Sequence, residues 1–124
     1  MRAFITIATR VDRGAIAVVR IWGADAIRVV DSVFRPHRGG PLRDTPPGRL
    51  RYGRAGPGQG DEVVAVVLEG PQPVAEIHGH GGTAAIASVV RALQETGAVL
   101  ADEDHGVARD TRGDRSTNSV SSSF

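Results

Sequence analysis

Glu76, His78 and His80 are spaced by two residues within Val74-Ala75-Glu76-Ile77-His78-Gly79-His80-Gly81-Gly82. In an extended strand such a row points to one side, so a carboxylate and two imidazoles would share a surface. Two chemistries suit that set. Three oxygen and nitrogen donors could hold zinc or another divalent ion, with His37 or His105 as the remote source of a fourth ligand. Alternatively, Glu76 beside a histidine could move a proton near neutral pH. The sequence supplies no matching nucleophile and no cofactor fingerprint for the second. The glycines around His80 add a third possibility. They allow a sharp strand-to-helix turn and close approach of a ligand to the backbone. The first N–H groups of the helix that follows would favour a carboxylate or phosphate.

Composition excludes several other mechanisms. The chain has 124 residues and contains neither Lys nor Cys. A phosphate-loop lysine, Schiff-base chemistry, a thiol nucleophile, thiolate metal ligands and disulfides are therefore all absent. Its hydrophobic fraction of 40% and charged fraction of 23% are those of a single globular domain. Aromatic residues make up only 4%, so the core must be built from Val, Ile, Leu and Ala. No leader pattern or membrane-length apolar run is present, and a soluble, cytoplasmic protein is expected.

The elements that would position the row follow from pattern. Phe4–Ala8 and Arg49–Ala55 read as strands, the second with Leu50 and Tyr52 on one wet face. Ala15–Trp22 is apolar except for Arg20, which suggests a strand covered on both faces. An arginine inside such a strand either reaches the rim or meets an anion. Residues 23–25 open a helix whose stripe is Ala26, Val29, Val30 and Val33, with Ile27 and Phe34 beside it; Arg35-Pro36 closes it. Glu62–Leu68 is the strongest strand and is placed centrally in the sheet. Thr83–Glu95 is helical, with Ile86, Val89, Val90 and Leu93 inward, Thr83 as N-cap and Gly97 as C-terminal cap. Residues 98–100 begin a further strand. The expected fold is α+β, a mixed sheet of about five strands with two main helices. Residues 1–108 form the domain and 109–124 a disordered Ser-rich tail.

From Arg35 to Arg54 there are six arginines (35, 38, 43, 49, 51 and 54) against the single acid Asp44. They could contact RNA phosphates, or simply form the wet face of a loop and a strand.

Several of these segments also carry a resemblance. Arg13-Gly14-Ala15-Ile16-Ala17-Val18-Val19-Arg20-Ile21-Trp22-Gly23 resembles the GRGGVGILRISG opening of the TrmE (MnmE) family of tRNA-modification GTPases. Asp61-Glu62-Val63-Val64-Ala65, Glu76-Ile77-His78-Gly79-His80-Gly81-Gly82 and Gly97-Ala98-Val99-Leu100-Ala101 are similar to its DEV, VEIxGHGG and GARLA segments, in the same order. The resemblance covers about residues 3–101 and implies that family's N-terminal domain. It implies a homodimer that binds a 5-formyl or 5,10-methylene tetrahydrofolate, the one-carbon source for modifying the wobble uridine of certain tRNAs. A flavoprotein partner, MnmG (GidA), or a separate GTPase chain would be associated, and tRNA contact is possible.

Carried over to this sequence, Arg20 would face the ligand or its ion-pair network, and Glu76 would accept hydrogen bonds from the pterin's amino and ring N–H groups. His80, Gly81 and Gly82 would shape the pocket, with Arg13 and Gly14 in the loop beside it. The family's YTGED and PGEFTxRAFLNGK segments have no clear counterpart here, and the sequence carries no GTPase motif. A module without catalytic activity of its own is therefore expected. The alternatives are an interaction domain that no longer binds folate and a metal-dependent enzyme using Glu76, His78 and His80.

Overall fold

A computed structural model describes residues 2–7, 16–79 and 82–101. In chain order the elements are β1 (Phe4–Ile7), β2 (Ala17–Trp22), α1 (Ala26–Val33), β3 (Phe34–Pro36), a 3₁₀ turn (Leu42–Asp44), β4 (Arg51–Ala55), β5 (Asp61–Leu68), β6 (Val74–Gly79), α2 (Gly82–Glu95) and β7 (Val99–Leu100). The strands form one mixed sheet in the order β3-β4-β5-β6-β2-β1-β7, antiparallel throughout except for the parallel β1–β7 pair. The architecture is α+β as expected, with seven strands rather than about five.

The strand that local pattern does not reveal is β3, for a physical reason. β3 is three residues long and follows α1 without a break, so its local pattern reads as the end of the helix. Only its pairing with β4, Phe34 opposite Ala55 and Pro36 opposite Gly53, makes it a strand. Gly53 permits this pairing, because a Cβ there would lie 2.3 Å from the Arg35 carbonyl oxygen. β6 occupies the centre of the sheet, and β5, expected there, lies immediately beside it.

Both helices cover one face. Ala26, Val29, Val30 and Val33 of α1 and Ile86, Val89, Val90 and Leu93 of α2 are buried with Ile5, Ala17, Val19, Ile21, Ala65, Ala75 and Ile77 of the sheet. These are the stripes read from the 3.6-residue period, joined to every second residue of four strands. α2 begins at Gly82, so Thr83 lies inside its first turn rather than before it. Gly97 ends the helix as expected, with φ of 111° and its N–H on the Gln94 carbonyl at 2.9 Å.

β2 corrects its expected environment. Ala17, Val19 and Ile21 are buried, but Val18, Arg20 and Trp22 alternate with them at partial exposure. The apolar run misled because Val18 and Trp22 line a second, half-buried face that no helix among the described residues covers.

The loop after β3 is anchored by Asp31. Its carboxylate accepts from the backbone N–H groups of Leu42 at 2.7 Å and Arg43 at 3.1 Å, seating the fully buried Leu42 against α1. Asp31→Ala is expected to cost about 1–2 kcal/mol, because two N–H groups lose their acceptor and one belongs to a buried residue. Urea denaturation measures the loss, and faster amide exchange at Leu42 locates it. The Ser-rich stretch 109–124 lies outside the described residues.

Candidate functional site

On the helix-free face, side chains of β1, β2, β6, β5 and β4 line up in rows across the sheet. One row is Phe4, Trp22, Val74 and Leu68; the next is Thr6, Arg20, Glu76 and Val66; the third is Val18, His78, Val64 and Tyr52. The middle row is buried at Thr6, Glu76 and Val66, whereas Tyr52 at the margin is 59% exposed. A polar centre with an apolar surround is thus produced by strand register alone, since a two-residue period keeps each set on one side.

Arg20 lies directly opposite Glu76. Its Nε and Nη2 both donate to Glu76 Oε2, at 3.0 and 2.7 Å. His78 Nε2 lies 2.9 Å from Glu76 Oε1. The side chains of Arg20, Glu76 and His78 are 23%, 12% and 33% exposed, so the network is shielded but reachable. Burial pushes the Glu76 carboxyl upward. The hydrogen bonds from Arg20 and His78, together with their charges, outweigh it and hold the group below its ordinary range.

This arrangement keeps Glu76 ionised in a partly dry setting. A carboxylate offers about four lone-pair sites, and three are engaged by Arg20 and His78. The remaining site, on Oε1, can accept one N–H directly; a ligand presenting two N–H donors must displace one existing contact. Around the network, Trp22 Nε1 donates to Thr6 Oγ1 at 3.1 Å, which satisfies that buried hydroxyl's acceptor. The Trp22 ring stacks on Phe4 with centroids 4.5 Å apart. On the other side of the network, a cavity of about 260 Å³ is lined by Ile16, Tyr52, Glu62, Val64 and His78.

The structure brings Arg20 and Glu76 together and places Gly82 at the first position of α2. Arg13, Gly14, His80 and Gly81 lie outside the described residues. Glu76 and His78 share a face, as the spacing required, but among the described residues no three potential ligands converge on a metal position. The third member of that row, His80, is outside the description. His78 as a hydrogen-bond partner of Glu76 is a residue that the folate assignment passed over. The two-residue spacing could have found it. It could also have found Trp22, two residues beyond Arg20 in β2, but not Thr6, which only the β1–β2 register carries to Arg20. No described helix is long and apolar enough to cross a membrane.

The sequence matches known proteins along most of its length. A family model described as the GTP-binding protein TrmE N-terminus matches residues 3–105. The tRNA modification GTPase MnmE of Symbiobacterium thermophilum is 38% identical over 104 residues, covering 77% of this chain and 23% of that protein. The protein of the same name from Geobacillus thermodenitrificans is 35% identical over 114 residues, 82% of this chain and 25% of its own length. That of Roseiflexus sp. is 36% identical over 100 residues, covering 74% and 21%. This chain therefore spans about a quarter of the length of these relatives.

Proposed function

We propose that this chain, which belongs to the TrmE N-terminal domain family, is a folate-binding and dimerisation module linked to modification of the tRNA wobble uridine in the cytoplasm. The observation that carries the reading is the Glu76 carboxylate, held ionised between Arg20 and His78 on a half-buried face. A pterin ring presents adjacent amino and ring N–H donors, for which a pre-oriented carboxylate is the natural acceptor. One lone-pair site is open, and His78, the most exposed of the three side chains, is the contact that a second N–H would displace. Arg20 then keeps the carboxylate charged and aimed. The apolar rows on either side supply surface for the flat ring. In the same proposal His80, Gly81 and Gly82 shape the pocket, and Arg13 and Gly14 belong to the loop beside it. A flavoprotein of the MnmG kind or a GTPase chain would complete the reaction.

Titration calorimetry with 5-formyltetrahydrofolate tests the binding. Saturable heat is expected with the natural chain, and Glu76→Ala is expected to weaken binding at least about tenfold, because a charge-assisted pair is lost. No heat from folded protein at high micromolar ligand overturns folate binding.

The partial exposure of Val18, Trp22, Val64 and Leu68 on the same face favours a second reading, an interaction module that retains dimerisation without folate. A chain that runs as a dimer in size exclusion but gives no folate heat supports it. A strict monomer sinks both the dimer and this alternative.

A further inference from the structure

The six arginines between 35 and 54 divide into two groups. Arg35 donates to the carbonyls of Gly56 and Gly58 at 3.0 and 3.1 Å, Arg43 pairs with Asp31 at 3.6 Å, and Arg54 pairs with Glu62 at 3.0 Å. These three hold turns and strand ends. Arg51 clamps the Pro-rich loop, with Nη2 on the carbonyls of Arg38 and Gly40 at 2.7 and 2.9 Å and Nη1 on Thr45 Oγ1. Gly39, with φ of 84°, permits that clamp; a Cβ there would lie 2.7 Å from the Arg51 guanidinium. Arg38 and Arg49 are exposed, and neither side chain has a hydrogen-bond or ion-pair partner among the described residues.

Arg38, Arg49 and Arg51 are the shared wall of two hollows. One, of about 300 Å³, runs over Gly39, Gly40 and Thr45, with Asp44 as its acid. The other, of about 440 Å³, contains no acid and is completed by His37, Leu50 and Tyr52. Leu50 and Tyr52, 54% and 59% exposed, give this hollow an apolar and aromatic wall beside its arginines.

We propose that this double hollow binds a single-stranded segment of RNA. Arg38 and Arg49 take successive phosphates, the fixed charge of Arg51 on the same wall adds to theirs, and a base stacks on the Tyr52 ring. Charge alone would suit any polyanion. The aromatic face within the basic wall is what selects a nucleic acid, because every base has a flat face and an acidic peptide has none. The choice of RNA over DNA rests on the reading of this chain as linked to tRNA modification. Tyr52 also ends the row beside Glu76, whereas Arg38 and Arg49 lie outside those rows, so the arginine variant separates RNA binding from folate binding.

Fluorescence anisotropy with a labelled oligoribonucleotide of about twelve nucleotides tests this on the full chain at about 50 mM salt. Saturable binding is expected. Arg38→Ala/Arg49→Ala should weaken it at least about tenfold and lower the slope of log K against log salt by about 1.4, two phosphate contacts at roughly 0.7 each. Tyr52→Ala should weaken it about tenfold with the salt slope unchanged. Circular dichroism and an unchanged urea midpoint in the arginine variant confirm an intact fold. Absence of binding by the natural chain, or equal binding by the arginine variant, overturns the proposal. So does competition by polyglutamate as effective as by unlabelled RNA, an unchanged affinity for Tyr52→Ala, or tighter binding of the DNA of the same sequence.

Discussion

Arg20→Met should lower the stability of the domain by about 2–3 kcal/mol, less than the full cost of a deeply buried pair because the Arg20 side chain is 23% exposed. The loss comes from what is left behind. Glu76 keeps its single contact with His78 but loses two charge-assisted hydrogen bonds and the facing positive charge, while its side chain stays 88% shielded (the complement of its 12% exposure). Adding Glu76→Gln to Arg20→Met should restore most of the loss, because a neutral amide tolerates that position far better than an unpaired carboxylate. Urea denaturation of the four proteins of this cycle measures the coupling. Equal stability of Arg20→Met and the natural chain removes the pair as a structural element.

The same cycle has a pH signature. Glu76 has a folded-state pKa below its ordinary value of 4.5, so its contribution to stability is complete above that value and fades as pH falls through the lowered one. The stability advantage of the natural chain over Glu76→Gln should therefore shrink progressively as pH falls below about 4.5. An advantage that grew as pH fell below that value would contradict the assigned network.

Gly23→Ala is expected to cost about 3 kcal/mol or more, lowering the melting temperature by about 10 °C or more. Gly23 sits between β2 and α1 with φ of 119°, a conformation that costs an L-residue of order 1–3 kcal/mol by itself. A Cβ there would also lie 2.5 Å from the Arg2 carbonyl oxygen and 3.1 Å from its carbon. Those are backbone atoms and cannot swing aside. Displacing them would strain the Asp25 N–H bond to the Arg2 carbonyl at 2.9 Å and the Arg2 N–H bond to the Asp25 carboxylate at 2.7 Å. Together these bonds fix the entry to β1 and the start of α1. Gly40→Ala, where a Cβ meets nothing within 4 Å, serves as the control and should change stability by no more than about 0.5 kcal/mol. Thermal unfolding followed by circular dichroism separates the two. Similar behaviour of both variants would refute the close approach at Gly23.

Much of the scaffold was legible in the chain. The helical stripes of α1 and α2 repeat every three to four residues, and burial in the structure falls on those positions. The carboxylate and imidazole at 76 and 78 share a face because a strand alternates every two residues, whatever it pairs with. The lack of Lys and Cys closed whole classes of chemistry without any structure. β3 was not legible, nor was the half-exposed second face of β2, because both depend on which strand lies alongside and not on local periodicity.

What the amino-acid order determined by itself was the two helices and their inward stripes, most of the strands, and the residue types available at each. Tertiary structure decided that Arg20 meets Glu76, fifty-six positions further along, because β2 pairs with β6 in one register. It also decided which arginines between 35 and 54 brace the fold and which two remain exposed at a hollow. The reason is the same in both cases. Periodicity is written within one element and enforced by backbone geometry, whereas pairing and register are chosen by the free energy of the whole sheet, which no single segment contains.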